Sequence, residues 1–179
     1  MWKKYNKYRV LKPFFDDPHP KGIGFQLREI SRKINLAPKS VSIYLNELEK
    51  EGLIIKRPHR IHEYPVYYAN TENESFKLYK RLDMISLLYE TGLLEHLHES
   101  LMPDCIVLFG SAARGEDSRD SDIDLFIQCE QTKIDLDKFE KKLNRKINIF
   151  FSKSFNSLSN ELKNNIINGV VLKGYLEVF

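Results

Sequence analysis

A short apolar stretch running straight into a glycine-serine turn constrains this chain more than any other feature. Leu108-Phe109 is followed by Gly110-Ser111-Ala112-Ala113-Arg114-Gly115, and then by Ser121-Asp122-Ile123-Asp124-Leu125. A glycine at a strand end lets backbone N–H groups approach an anion closely, and Ser111 adds a hydroxyl. The helix expected to begin there turns its positive end toward the same place. Asp122 and Asp124 alternate with Ile123, so on a strand they share one face while Ile123, Leu125 and Ile127 share the other. Two carboxylates side by side repel unless a cation lies between them. Mg2+ or Mn2+ suits such a pair, because hard divalent ions combine a few carboxylates with phosphate oxygens and water. The pattern points to a phosphate-bearing ligand held together with a divalent metal.

The periodicity around this motif predicts an α/β unit. Strands are expected over 106–109, 122–128 and 147–151, helices over 136–146 and 155–167, and a short apolar end piece over 170–172. Upstream, 76–101 carries an apolar stripe through Phe76, Leu82, Ile85 and Leu88, with Gly92 expected to break or kink the helix. This stretch suits a connector that also dimerises, or a helix packed on its own domain.

The front of the chain follows a different plan. Helices are expected over 5–15, 25–34 and 38–51, the last opened by Pro38 and closed by Gly52. Residues 53–57 and 64–68 then read as two strands joined by the basic tip Pro58-His59-Arg60-Ile61-His62. The order Leu27, Ile30, Ser31, Ile34, Leu36, Val41, Ser42, Leu45, Leu48, Gly52, Leu53, Ile54 resembles a winged helix-turn-helix domain. Ser31 occupies a slot that often holds alanine. The resemblance implies that Lys39, Ser40, Ser42 and Tyr44 face the groove of double-stranded DNA, and that Lys56, Arg57, His59 and Arg60 lie along phosphates. A protein-docking module with a solvated charged face is the alternative.

Charge supports this division. Residues 1–70 hold 14 Lys/Arg against 7 Asp/Glu, whereas residues 71–179 hold 14 against 18. A basic front segment suits a polyanion partner. No apolar run reaches the roughly 18 residues needed to cross a bilayer, so no membrane partner is expected. The basic opening lacks a following apolar stretch, so a cytoplasmic protein without a signal peptide is expected. Cys105 and Cys129 sit in or beside apolar runs, as reduced buried thiols do.

The Gly110-Ser111 and Asp122-x-Asp124 combination resembles the nucleotidyltransferase core of the DNA polymerase β-like superfamily, and most closely its minimal nucleotidyltransferases, over residues 93–175. That resemblance implies an α+β chain: a winged helix over 1–70, a connecting helix over 71–91, and a nucleotidyltransferase core with a small mixed sheet over 92–179. It also implies that Gly110, Ser111 and Ser121 meet the phosphates of a nucleoside triphosphate and that Asp122 and Asp124 hold the metal. Arg114 either touches a phosphate or ties the helix to Glu116 or Asp117. The implied reaction moves a nucleoside monophosphate to a hydroxyl, which in antitoxin-like members lies on a toxin-like partner protein. A homodimer is expected because winged-helix regulators commonly pair.

One position departs from the pattern. The superfamily's third carboxylate lies on a neighbouring strand, and alternation along 145–151 puts Asn148 there. An amide can ligate a metal through its carbonyl but cannot accept a proton, and a positioned general base is worth about 10²–10⁴ in rate. Three readings follow: a slow enzyme using metal-bound hydroxide, recruitment of Asp135 or Asp137, or a site that binds nucleotide in a DNA-binding regulator without transferring it. Asp135 and Asp137 also suit the start of the next helix, where acids cap and complement the dipole.

Overall fold

The computed structural model describes residues 4–18, 20, 23–59 and 64–178. Contacts divide the chain into two compact units, Met1–Lys77 and Leu78–Phe179.

The first unit packs helices α1 (Asn6–Asp16), α2 (Leu27–Ile34) and α3 (Pro38–Lys50) on an antiparallel sheet. Its strands are β1 (Phe25–Gln26), β2 (Ile54–Pro58) and β3 (Pro65–Ala69), in the order β1-β3-β2. Val10, Phe14, Ile30, Val41, Leu45 and Leu48 are fully buried, which is the apolar spacing of the sequence realised as a helical core. The turn between α2 and α3 passes through Asn35 in the left-handed region. It is tied by Ser31 Oγ, which donates to the Leu36 carbonyl at 2.6 Å, and by the Arg9 guanidinium, which donates to the Ile34 carbonyl. Serine in the usual alanine slot therefore closes the turn. Helix α3 ends as a Schellman motif: Leu53 N–H returns to the Leu48 carbonyl and Gly52 N–H to that of Glu49, with Gly52 at φ +72°.

Phe25 does not begin a helix as its spacing suggests. It lies in β1 opposite Tyr67, and the extended backbone sets its ring edge-on against Phe14 at 5.3 Å. β2 and β3 pair from Ile54↔Ala69 to Pro58↔Pro65, forming the expected ribbon. Arg60, at the expected tip, lies outside the described residues.

Asn73 Oδ1 caps the next helix, α4 (Glu74–Glu90), by accepting from Phe76 N–H. The second unit, from Leu78 onward, continues with α5 (Leu93–Leu101), β4 (Cys105–Phe109), α6 (Gly110–Arg114) and β5 (Ile123–Gln128). Then come α7 (Asp137–Leu143), β6 (Ile147–Phe151), a 3-10 turn at Phe155–Ser157, α8 (Asn160–Ile167) and β7 (Val170–Gly174). Strand order is β6-β5-β4-β7. β5 runs parallel to β6, while β4 is antiparallel to β5 and β7, so the sheet is mixed as expected.

Both faces of this sheet are covered. Ile123, Leu125 and Ile127 pack with Leu88, Leu97, Phe139 and Leu143 on one side. Cys105, Val107, Phe109 and Phe126 pack with Phe155 and Ile166 on the other. Several boundaries differ from the sequence expectation. β5 begins at Ile123, leaving Asp122 on the loop before it. α7 stops at Leu143 rather than 146, because Asn144 turns left-handed and frees Arg145 and Lys146 to return toward the loop before β5. The span 155–167 is a turn and then a helix capped by Ser159 Oγ. The apolar end piece is a full strand, β7.

Cys105 illustrates the depth of this core. Burial, followed by the nearby Asp104 charge, pushes its thiol up to about 11. Because the thiolate is the reactive form, only about 10⁻³ of it is available at pH 8. Native protein treated with a disulfide reagent at pH 8 is expected to leave Cys105 unmodified, while the less buried Cys129 reacts first. Adding denaturant should release the second equivalent, which absorbance of the released thiolate would record.

Candidate functional site

β4 leads directly into Gly110, which takes φ +73° and turns the chain into α6. The register places Phe109 opposite Asp124, so this turn lies against the start of β5. A Cβ on residue 110 would stand 2.5 Å from Asp124 Oδ2. Only glycine meets both demands, the left-handed backbone and the space for the carboxylate. Ser111 is the second residue of α6 and is half-buried, with its carbonyl accepting from Glu116 N–H at 3.0 Å.

Strand β6 supplies the third member. Asn148 is the register partner of Asp124 across the parallel pair. Its Nδ2 donates to Asp122 Oδ2 and to Asp124 Oδ1, both at 3.1 Å. One amide thus sits between two carboxylates, at the position where the sequence alternation places it. Two acceptor-only groups dictate that the NH2 end faces them. Among the described residues, no set of three or more His, Cys, Asp or Glu side chains is grouped to hold a metal. The two carboxylates nonetheless fit a divalent ion: both present hard oxygens to one point, and a half-turn of the Asn148 amide would add its carbonyl oxygen as a third.

The remaining candidates have structural partners. Arg114 Nε donates to Glu116 Oε2 at 2.7 Å, the helix-tying alternative for that residue. The Ser121 hydroxyl accepts from Ser118 N–H at 2.9 Å and lies 3.0 Å from Ser118 Oγ, closing a small turn. Asp135 Oδ1 accepts from Asp137 N–H at 3.0 Å, an Asx turn that leads into α7, whose N-cap is Leu136 rather than Asp135. Asp137 lines a cleft of about 490 Å³ with Asp122, Arg119, Lys141 and Lys146. Lys146 is held charged above the usual lysine range, chiefly by its hydrogen bond to Glu140, with Asp122 a smaller cause. Glu140 is lowered in turn by Lys146 and then by Ile147 N–H. Arg145 was not evident from sequence; beside Lys146, nothing in its spacing distinguishes it.

Residues 93–175 match the family model described as Polymerase beta, Nucleotidyltransferase, and residues 26–55 match that described as Winged helix-turn-helix DNA-binding. The chain joins a polymerase β-like nucleotidyltransferase domain to an N-terminal winged helix. No curated protein matches it.

In the winged-helix domain, Lys39 is exposed near the start of α3, Ser40 and Ser42 are half-buried, and Tyr44 packs against the core. Ile43 is 52% exposed and Asn46 is also exposed. Lys39, Ile43 and Asn46 recur at i, i+4 and i+7 and so share a face, a spacing readable in the sequence. On β2, Lys56 and Arg57 are exposed, and the Arg57 guanidinium lies 5.7 Å over the Tyr68 ring. The His59 ring lies 5.7 Å from that of Tyr64.

The nucleotidyltransferase domain's dependence on Gly110 is open to direct measurement. Gly110→Ala carries a left-handed cost of about 1–2 kcal/mol and also displaces the Asp124 carboxylate. Denaturant unfolding should show that loss in the transition of this domain, with far-UV circular dichroism unchanged before the transition.

Proposed function

We propose that this protein is a DNA-binding regulator whose nucleotidyltransferase domain takes a metal-bound nucleoside triphosphate as a ligand, with little or no transfer. The observation that carries this reading is the Asn148 amide bridging Asp122 and Asp124 at 3.1 Å. The turn at Gly110 and Ser111 offers N–H groups and a hydroxyl to phosphate oxygens. Asp122 and Asp124 supply the negative charge that holds Mg2+ or Mn2+. When bound, such an ion neutralises phosphate charge and polarises the phosphoryl oxygens. Asn148 satisfies the carboxylates when no cation is present and can rotate its carbonyl toward one, but it has no basic site for a hydroxyl proton. Substrate activation by a protein base is thereby withheld while ligand binding is retained.

The winged helix supplies the second half of the reading. Lys39, Ser42, Ile43 and Asn46 on α3 would meet base edges, and Lys56, Arg57 and His59 the backbone of duplex DNA, with Arg60 beside them in sequence.

A second reading is supported by the close fit of Gly110 to Asp124, the two residues to which it gives phosphate and metal binding. In it, the domain transfers a nucleoside monophosphate to a hydroxyl, on a toxin-like partner protein, at a rate limited by Asn148.

Labelled nucleoside triphosphates and calorimetry separate the two. The wild-type protein should bind a Mg2+-nucleotide without detectable transfer, and Asn148→Asp should raise transfer by about 10²–10⁴. Wild-type transfer that disappears in Asp122→Ala would instead favour the enzyme. Asn148→Asp also replaces a donor with a third carboxylate. Without metal it should lose about 1 kcal/mol of stability, recovered on adding Mg2+, as thermal melts would reveal.

DNA binding should weaken steeply with salt. Arg57→Ala is expected to lower the slope of log K against log [salt] by about 1, read by fluorescence anisotropy on duplex DNA. A salt-independent signal would count against the DNA-binding half of the proposal.

A further inference from the structure

Irregular backbone connects α6 to Asp122, and such a segment keeps one shape only when its polar groups are satisfied. Residues 116–122 are tied from inside the second unit. Asp117 is 4% exposed and lies against two cations. Arg145, 8% exposed, donates through Nη1 to Asp117 Oδ2 at 2.6 Å. Lys80 of α4, 5% exposed, donates to the Asp117 carbonyl and has its ammonium 3.6 Å from Oδ1.

The same Arg145 guanidinium reaches the other end of the segment. Its Nε donates to the Ser121 carbonyl at 2.7 Å and its Nη2 to the Asp122 carbonyl at 3.1 Å. One planar fork therefore holds the Asp117 side chain and the two successive peptides that flank the Asp122 Cα. Ile123 N–H donates to the Lys146 carbonyl at 2.9 Å, fixing the residue that follows. Buried charges of this kind are costly to assemble and are a weak source of stability by comparison with apolar packing. What this set does is define the path of the backbone that carries Asp122.

We propose that Arg145, held in place by Asp117 and Lys80, is the positioning residue for Asp122 and sets the separation of the Asp122 and Asp124 carboxylates that receive the divalent ion. Arg145 acts on Asp122 through the main chain: its bonds there go to the Ser121 and Asp122 carbonyl oxygens, not to the Asp122 carboxylate. The role needs a guanidinium. Lysine offers a single ammonium and cannot span the Asp117 carboxylate and two carbonyls with fixed geometry. This inference rests on the metal-nucleotide reading given above.

The test uses the full chain, with Mn2+ alone and then Mn2+ with ATP as probes. Free Mn2+ is counted by electron paramagnetic resonance, and hydrogen exchange is followed over residues 117–122. Arg145→Lys should keep a native circular dichroism spectrum, bind Mn2+ about 10–100-fold more weakly, and exchange faster in that segment. Asp117→Asn keeps an acceptor for Arg145 but loses the charge, so its Mn2+ affinity should fall between the two. A folded Arg145→Lys protein with wild-type Mn2+ affinity overturns the proposal. If that variant does not fold, Asp117→Asn decides: wild-type affinity and exchange there overturn it equally. Wild-type protein that binds no Mn2+ in either condition sinks the metal-nucleotide reading and this one with it. Equal binding by wild type and folded variants sinks this one alone.

Discussion

Two neighbouring carboxylates repel, and the start of β5, with Asp122 on the loop before it and Asp124 on the strand, is organised around what offsets that repulsion. The parallel pairing of β5 with β6 sets Asn148 opposite Asp124. Its amide then reaches both Asp122 and Asp124. From the other side, Gly110 leaves room for the Asp124 carboxylate that any Cβ would remove. A charge pair that would otherwise strain the fold is thus compatible with a stable sheet.

The same local solution separates binding from turnover. A divalent ion and a phosphate chain need oxygens, N–H groups and space, all of which are present around Gly110, Ser111, Asp122 and Asp124. Moving a proton needs a base, and an amide supplies none. On the reading proposed above, a domain with this constitution senses a nucleotide rather than consuming it. The same reading joins it, in one chain, to a winged helix with a basic front segment.

Much of the site is legible in the sequence. Period-two alternation put Asn148 beside Asp124, whereas Asp122, expected on the same strand, stands on the loop before it and meets the same amide from there. Helical spacing likewise identified the buried Ile30, Val41, Leu45 and Leu48 of the winged helix. The failures share a physical origin. Phe25 has the spacing of a helix, yet pairing with Tyr67 and contact with the Phe14 ring draw it into a strand. Lys141, Lys142, Arg145 and Lys146 look alike in sequence, and only Arg145 turns inward, because the left-handed Asn144 ends α7 early.

The sequence by itself determined the family of the two domains, the faces of the strands and the identity of the groups that meet at the site. Those properties follow from local periodicity and from residue chemistry. The tertiary structure decided how far those groups lie from one another and which of them have other partners. It showed the Asn148 amide between the two carboxylates, Arg114 turned to Glu116, the Ser121 hydroxyl spent on Ser118, and Arg145 buried against Asp117. Such partnerships join residues from separate elements, and they depend on strand register and burial that a one-dimensional pattern does not contain.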